Sequence, residues 1–232
     1  MRPFLISFCL MLSACLPESK SGFDIENVEI VEGEIGDETY FVPKPYFKIE
    51  GRYFPDGNIY VQTMYPDFLP LREAPNDLWA EGEWWKNISI LAHYYPKSEI
   101  TMDEFVQHQI EFLRAFEHAG EEYGLIHMTQ PPTQIQDHED VWIHKEDGEV
   151  RSIIICSENL IETDFPQCNQ QYYLRPKFHI QIKYDRRLLK NWKTIDVNVR
   201  RMFESFSSRA AAKEFLRQQI EPSQSISQET EP

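Results

Sequence analysis

Glycine is scarce, nine in 232 residues. No GxGxxG or Walker pattern occurs among them, so the phosphate-cradling turns of nucleotide-binding folds are excluded. Basic residues are few as well: 23 Lys and Arg face 38 Asp and Glu, for a formal charge of −15. Nucleic-acid binding needs phosphate contacts from Lys and Arg, and this balance argues against it. GxSxG, SxxK and HExxH signatures are also missing, as is a Cys-His signature. No apolar run after the first twenty residues reaches the length of about 20 that a membrane-spanning helix requires. The chain shows no internal repeat and no low-complexity block. These absences leave no catalytic constellation, and the expectation is a protein that binds and is not an enzyme, with no cofactor.

What is abundant is aromatic surface. Five Trp, eleven Tyr and fifteen Phe make up 13% of the chain, enough to fill the core of one domain of moderate size. The acidic balance suits a basic protein partner, which it would attract and whose encounter it would speed; plain solubility explains it equally well.

The first residues, MRPFLISFCLMLSACLPESKSG, have the layout of a secretory signal: Arg2, an apolar stretch from Pro3 to Met11, then small residues. Leu12, Ser13, Ala14 and Cys15 match, position by position, the bacterial lipobox, and the chain resembles a bacterial lipoprotein on that ground. The resemblance implies cleavage between Ala14 and Cys15, a diacylglycerol on the Cys15 thiol and an acylated (palmitate-type) amino terminus. Removing Arg2 with residues 1–14 would make the body one unit more negative than −15. Several buried acyl chains anchor a protein stably, at about 0.8 kcal/mol per methylene. In such lipoproteins an Asp after the lipidated Cys tends to retain the protein in the inner membrane. Leu16 stands there, which implies the outer membrane with the body facing the periplasm. An ordinary signal peptide cut elsewhere is the alternative.

With Cys9 in the signal and Cys15 lipidated, Cys156 and Cys168 remain. An even pair in an oxidising compartment reads as one disulfide. Two metal-binding thiols are the rival reading, with only Glu158, Glu162, Asp164 and Gln167 nearby as companions. No metal is expected. The other dense run of ligand-type residues, Asp137-His138-Glu139-Asp140 with His144, reads as a charged loop before a strand.

Residues 15–27 are a polar tether, 28–220 one globular domain, and 221–232 a polar tail expected to be disordered. Strand candidates are Val28–Val31, Tyr40–Val42, Phe47–Ile49, Ile59–Tyr65, Ile88–Tyr94 and Leu125–Met128. Between them, Pro66–Glu83 reads as irregular, and Trp84-Trp85 as core or edge packing or an exposed anchor for a partner. Asp147-Gly148 between Val141–Lys145 and Val150–Cys156 predicts a hairpin. In Phe178–Tyr184 the alternation puts Phe178, Ile180, Ile182 and Tyr184 inward and His179 on the solvated side.

Thr101 and Glu104 form a capping box that opens a helix expected to end near Gly120. Its apolar residues include Met102, Phe105, Val106, Ile110 and Leu113, widened by Phe112 and Phe116. His108 and His118, about 280° apart on such a helix, would not share a face. Leu188, Trp192, Ile195, Val199, Met202 and Phe206 make one helical stripe, and Ala210–Gln219 a further helix. Many strands with two or three helices predict an α+β domain with a mainly antiparallel sheet.

Two further resemblances concern the body. KFHIQIKYDRRLLKNWKTIDVNVRRMFESF resembles the last strand and packing helix of PsbP-like domains, matched at Tyr184, Trp192, Ile195, Ser205 and Phe206. It implies a sheet covered by helices and no particular activity. IGDETYFVPKPYF and IYVQTMYPDFLP resemble small proteobacterial lipoproteins encoded beside secreted toxins; Pro45 is an extra proline in the pattern. This likeness implies an immunity protein. A structural or assembly lipoprotein of the envelope is the alternative, and an enzyme of the cell wall or of lipids a third reading.

Cys15→Ser is expected to abolish lipidation and release the protein from membranes. Mass spectrometry of the native protein checks this: an acylated Cys15 at the amino terminus is the expected species, and a terminus beyond Cys15 refutes it.

Overall fold

A computed structural model describes residues 25–49, 51–71, 82–95, 100–114, 117–130, 137–159 and 166–225. Ala14, Cys15 and most of the proposed tether lie outside them. The strands are β1 (Ile30–Ile35), β2 (Glu38–Pro43), β3 (Ile59–Met64), β4 (Leu69–Pro70), β5 (Asn87–Tyr94), β6 (Glu117–Glu122), β7 (Leu125–Thr129), β8 (Asp137–Glu146), β9 (Glu149–Asn159), β10 (Gln167–Arg175) and β11 (Phe178–Asp185). The helices are α1 (Met102–Leu113), α2 (Trp192–Ser205) and α3 (Arg209–Ser225). β1 and β2 form a separate hairpin. The other strands make one nine-stranded sheet in the order β4-β3-β5-β11-β10-β9-β8-β7-β6, with every neighbouring pair antiparallel. The α+β class with a mainly antiparallel sheet is the one expected.

Alternation builds the two faces. Odd and even positions of a strand point to opposite sides. Val61, Ile90, Ile180, Ile182, Tyr172 and Ile154 are buried together with Ile195, Val199 and Met202 of α2 and Phe215 and Leu216 of α3. The opposite face is apolar only over part of its width, where Val106 of α1 packs with Val141, Ile143, Val150 and Ile153. Each fully buried aliphatic contributes about 1.5–3 kcal/mol.

The local signals act as chemistry requires. Thr101 Oγ1 accepts from the Glu104 amide at 3.2 Å, and the Glu104 carboxylate accepts from the Thr101 amide at 2.9 Å. The turn residues Asp147 and Gly148 both have positive φ, 53° and 86°, as a two-residue hairpin with right-handed twist demands. Cys156 and Cys168 face each other across β9 and β10 with Cα atoms 4.0 Å apart and form the disulfide. Closing a loop of that length stabilises by about 3 kcal/mol in the chain-entropy account. The six residues of the stripe from Leu188 to Phe206 are all buried, with Leu188 in a 3-10 turn, Arg186–Asn191, that leads into α2. The hairpin β1–β2 closes over α3. Phe41 donates its amide to the Phe206 carbonyl at 2.8 Å, Tyr40 stacks on Phe178, and Arg209 pairs with Glu32.

Several expectations are corrected. Phe47–Ile49 is no strand: Phe47 makes a single bridge to Val61 after a 3-10 turn, Lys44–Tyr46, in which Pro45 supplies no amide to a ladder. The first strand begins at Ile30, two residues late. α1 stops at Leu113, where Arg114 adopts a left-handed conformation, and Gly120 and His118 sit in β6. Phe112 is 82% exposed and takes no part in the helix's apolar face; Phe116 lies outside the described residues. α3 continues to Ser225, past the start expected for the tail.

Trp192 is 4% exposed, and its Nε1 donates to the Tyr123 carbonyl at 3.0 Å. Trp192→Ala is expected to cost about 3–5 kcal/mol in chemical denaturation, as the loss of a large buried aromatic does. Lys193→Ala, one residue along on the exposed side, is the comparison and is expected to cost little.

Candidate functional site

The half of the second sheet face that α1 leaves uncovered is where polar chemistry collects. It is formed by β3, β5, β11 and β10, and the inward stripe of each strand here alternates with Gln, Asn, Ser, His or Lys. Gln62 and Gln171 are buried, at 7% and 6% exposure. Gln62 Nε2 donates to Ser89 Oγ at 3.0 Å, and Gln181 Nε2 to Gln171 Oε1 at 3.4 Å. Two adjoining hollows lie on this floor, each about 340 Å³, and they share Gln167 and Lys183. One is walled by Trp84 and Trp85 on the 3-10 turn Glu83–Lys86, the other by Phe112 and Leu113 at the end of α1. The Arg187 guanidinium lies 5.1 Å from both Trp rings and is held by Asp185 at 2.8 Å.

Beside this floor stands a histidine that the sequence reading placed in solvent. His179 is 1% exposed, enclosed by the rings of Phe105, Tyr173, Tyr95 and His93 at 5.2–6.4 Å. α1 supplies Phe105 and so covers the side of β11 that alternation marked as polar. Burial pushes the His179 pKa down to about 4, with a smaller push from His93. His93, its cross-strand partner, is also lowered by burial, and its Nδ1 lies 3.0 Å from Asn58 Oδ1.

The acidic run Asp137–Asp140 is part of β8 and not a loop. Asp140 turns toward α2, is buried, and joins His127 Nε2 at 3.1 Å and the Arg186 guanidinium. Burial pushes its carboxyl up, yet the hydrogen bonds from Arg186 and His127 outweigh that and hold it below the usual range. His144 rests against the Trp192 ring at 4.7 Å, its pKa lowered by burial. His127 stacks flat on Trp142 at 4.5 Å. The set is a structural brace between β7, β8 and the turn after β11, and sequence reasoning missed His127 and Arg186 as its members. Among the described residues no three His, Cys, Asp or Glu gather as a metal site.

Negative charge gathers at one end of the sheet. β6 is an edge strand, exposed almost throughout, with Glu117, Glu121 and Glu122. The registers Glu121↔Ile126 and Ile126↔Ile143 bring Glu121 and Glu122 to the same end as the exposed hairpin tip Glu146-Asp147-Gly148-Glu149.

The architecture so defined, a wide antiparallel sheet layered with helices, is a known one. The chain matches no family model and no curated protein sequence. Among solved structures it is similar to Smlt3025, an immunity protein of the Stenotrophomonas maltophilia type IV secretion system: TM-score 0.59, 16% identity, over 77% of this chain and 93% of that one. A second similarity, to the Neisseria meningitidis iron-regulated outer membrane lipoprotein FrpD, has a TM-score of 0.46 and 12% identity, over 77% and 92% of the two chains. At these identities what is shared with Smlt3025 is the fold.

His179 makes stability depend on pH in a definite direction. Its folded pKa of about 4 lies below the ordinary 6.5, so above pH 6.5 neither state takes a proton and its contribution is complete. Below that, the unfolded chain protonates first, and about 3 kcal/mol is expected to be lost by pH 4. Urea denaturation at pH 7 and pH 4.5 should show a smaller pH-dependent loss in His179→Leu than in the parent; an equal loss contradicts the assignment.

Proposed function

We propose that this protein is a lipid-anchored envelope protein that binds and neutralises a secreted toxin. The observation that carries the reading is the fold, which follows that of a secretion-system immunity protein over 93% of the latter's length. Two features of the chain support it. Leu12-Ser13-Ala14-Cys15 resembles a lipobox, which would hold the body at the outer membrane facing the periplasm, where a delivered toxin arrives. The chain's formal charge of −15 suits a basic partner, and the exposed carboxylates of the β6 edge and of the β8–β9 tip, where Arg151 pairs with Glu146 and Glu149, offer one place to meet it. A structural or assembly role in the envelope is the second reading, since a lipid anchor and a binding surface serve it equally.

The binding surface in this reading is the acidic end of the sheet. Long-range attraction raises association rates and is screened over a Debye length of about 8 Å at physiological salt. Association with a basic toxin encoded next to this protein should therefore slow markedly from low to high salt, while dissociation changes less. Charge reversal at Glu121 and Glu122, both to Lys, should slow association at low salt and leave the thermal midpoint within a degree or two of the parent, as exposed substitutions do. Secretion of the protein to the periplasm should protect a cell in which the toxin is active, and a cytoplasmic form lacking residues 1–14 should fail to protect it. If no neighbouring secreted protein binds even at low salt, the assembly reading replaces this one.

A further inference from the structure

The groove over β3, β5, β11 and β10 lies away from the acidic end and mixes amides, hydroxyls and charges of both signs. We infer that it is a saccharide site, suited to a sugar that carries acetamido and carboxylate groups. The inference does not depend on toxin binding.

The middle strands of its floor offer no backbone to a ligand. β5, β11 and β10 each pair with a strand on both sides, so their amides and carbonyls are committed to the ladder. A ligand seated there meets side chains alone. Those side chains include amides and hydroxyls: Gln62 and Ser89 in one hollow, Asn169 and Gln171 in the other. A side-chain amide both donates and accepts, which is what sugar hydroxyls and an acetamido group require. Two of the groove's amide oxygens, Asn87 Oδ1 and Asn169 Oδ1, are buried with no hydrogen-bond partner among the described residues. Buried polar atoms are almost always paired, and these two are acceptors that hydroxyl or acetamido donors would satisfy.

The charge is the second observation. Lys48 and Lys183 line the groove of an acidic protein, and neither makes an ion pair among the described residues. Lys48 instead sits over the Tyr60 ring at 5.2 Å and donates to its hydroxyl at 3.1 Å. The lining also holds two carboxylates, Asp185, which Arg187 pairs, and Glu139; with Asp185 neutralised by Arg187, the two ammonium groups outnumber the remaining acid, favour a ligand carboxylate and set an acidic sugar above a neutral one. The walls supply apolar surface for the C–H faces of a pyranose: Trp85 on one side and Phe112, 82% exposed, on the other. Each hollow, at about 340 Å³, is of the size of small-molecule sites, which run from about 300 to 1,000 Å³. An extended acidic peptide would meet the lysines equally well, but over β5, β11 and β10 its backbone would find no ladder to join.

The test uses the full-length protein in a zwitterionic detergent, because alkyl glycosides would compete. N-acetylmuramate, N-acetylglucosamine, glucose and an acidic hexapeptide are titrated separately, read by tryptophan fluorescence and saturation-transfer NMR. The expected order of affinity is N-acetylmuramate, then N-acetylglucosamine, then glucose. Asn169→Ala should weaken both acetamido sugars about tenfold, the value of one lost hydrogen bond of about 1–1.5 kcal/mol. Lys183→Ala, at an exposed position where substitutions usually cost little stability, should weaken N-acetylmuramate and leave N-acetylglucosamine unchanged. Co-sedimentation with purified sacculi, against lipopolysaccharide, then separates a cell-wall source from an outer-leaflet one. The inference is overturned if no sugar binds, if Lys183→Ala and Asn169→Ala both leave binding unchanged, or if the peptide alone binds.

Discussion

Everything in this fold is arranged around β11. It lies inside the sheet, between β5 and β10, so both of its sides must be satisfied within the protein. Toward α2 it sends Phe178, Ile180, Ile182 and Tyr184, all buried, and the helix that follows directly in the chain folds back over them. Toward the other side it sends His179, Gln181 and Lys183, three residues of rising polarity. The structure answers each differently. His179 is roofed by Phe105 from α1, Gln181 is tied to Gln171, and Lys183 is left at the open groove. One strand thus sets where the cores lie and where the polar floor begins.

The two polar regions have different physical standing. At the acidic end the carboxylates sit on an edge strand and a hairpin tip, well solvated, where charge acts at a distance and steers encounter without fixing geometry. In the groove several polar groups are partly buried amides, and some are held by side-chain hydrogen bonds, Gln62 to Ser89 and Gln181 to Gln171. Such groups act at contact and select by shape and by donor and acceptor pattern. A protein holding both can meet one partner by its field and another by its surface.

Much of this was legible in the sequence, and the reasons for the gaps are specific. The capping box at Thr101, the Asp-Gly turn and the stripe from Leu188 to Phe206 are local patterns, set by neighbours in the chain, and each stands where it was read. The Cys156–Cys168 pair followed from counting and compartment, and the register brings the two together. What failed depended on contacts distant in sequence. His179 alternates like a solvent-facing residue; only the arrival of α1 from some 70 positions earlier buries it. Phe112 looked like core because it lies seven residues after Phe105 on the same side of α1, yet at the helix end it stands exposed beside the groove. Asp140 looked like one member of a charged loop, whereas its partners His127 and Arg186 come from two other segments. The groove was invisible for the same cause, since its floor comes from four strands spread from Gln62 to Lys183, none of which carries a motif.

Three contacts near the start of the described domain set how it would bear a mechanical load. Glu26 pairs with Arg217, its backbone carbonyl accepts from Lys213, and Glu32 pairs with Arg209, so the entry segment is stitched along α3 at three successive turns. A tether pulling ahead of Ile25 would not peel β1 away one residue at a time. Force would pass into the helix, which is itself packed on α2, and the strand and helix would have to slide past each other together. Shear across a row of parallel fastenings resists far more than unzipping from one end, so the domain should stay folded under tension that would open an unsecured amino-terminal hairpin.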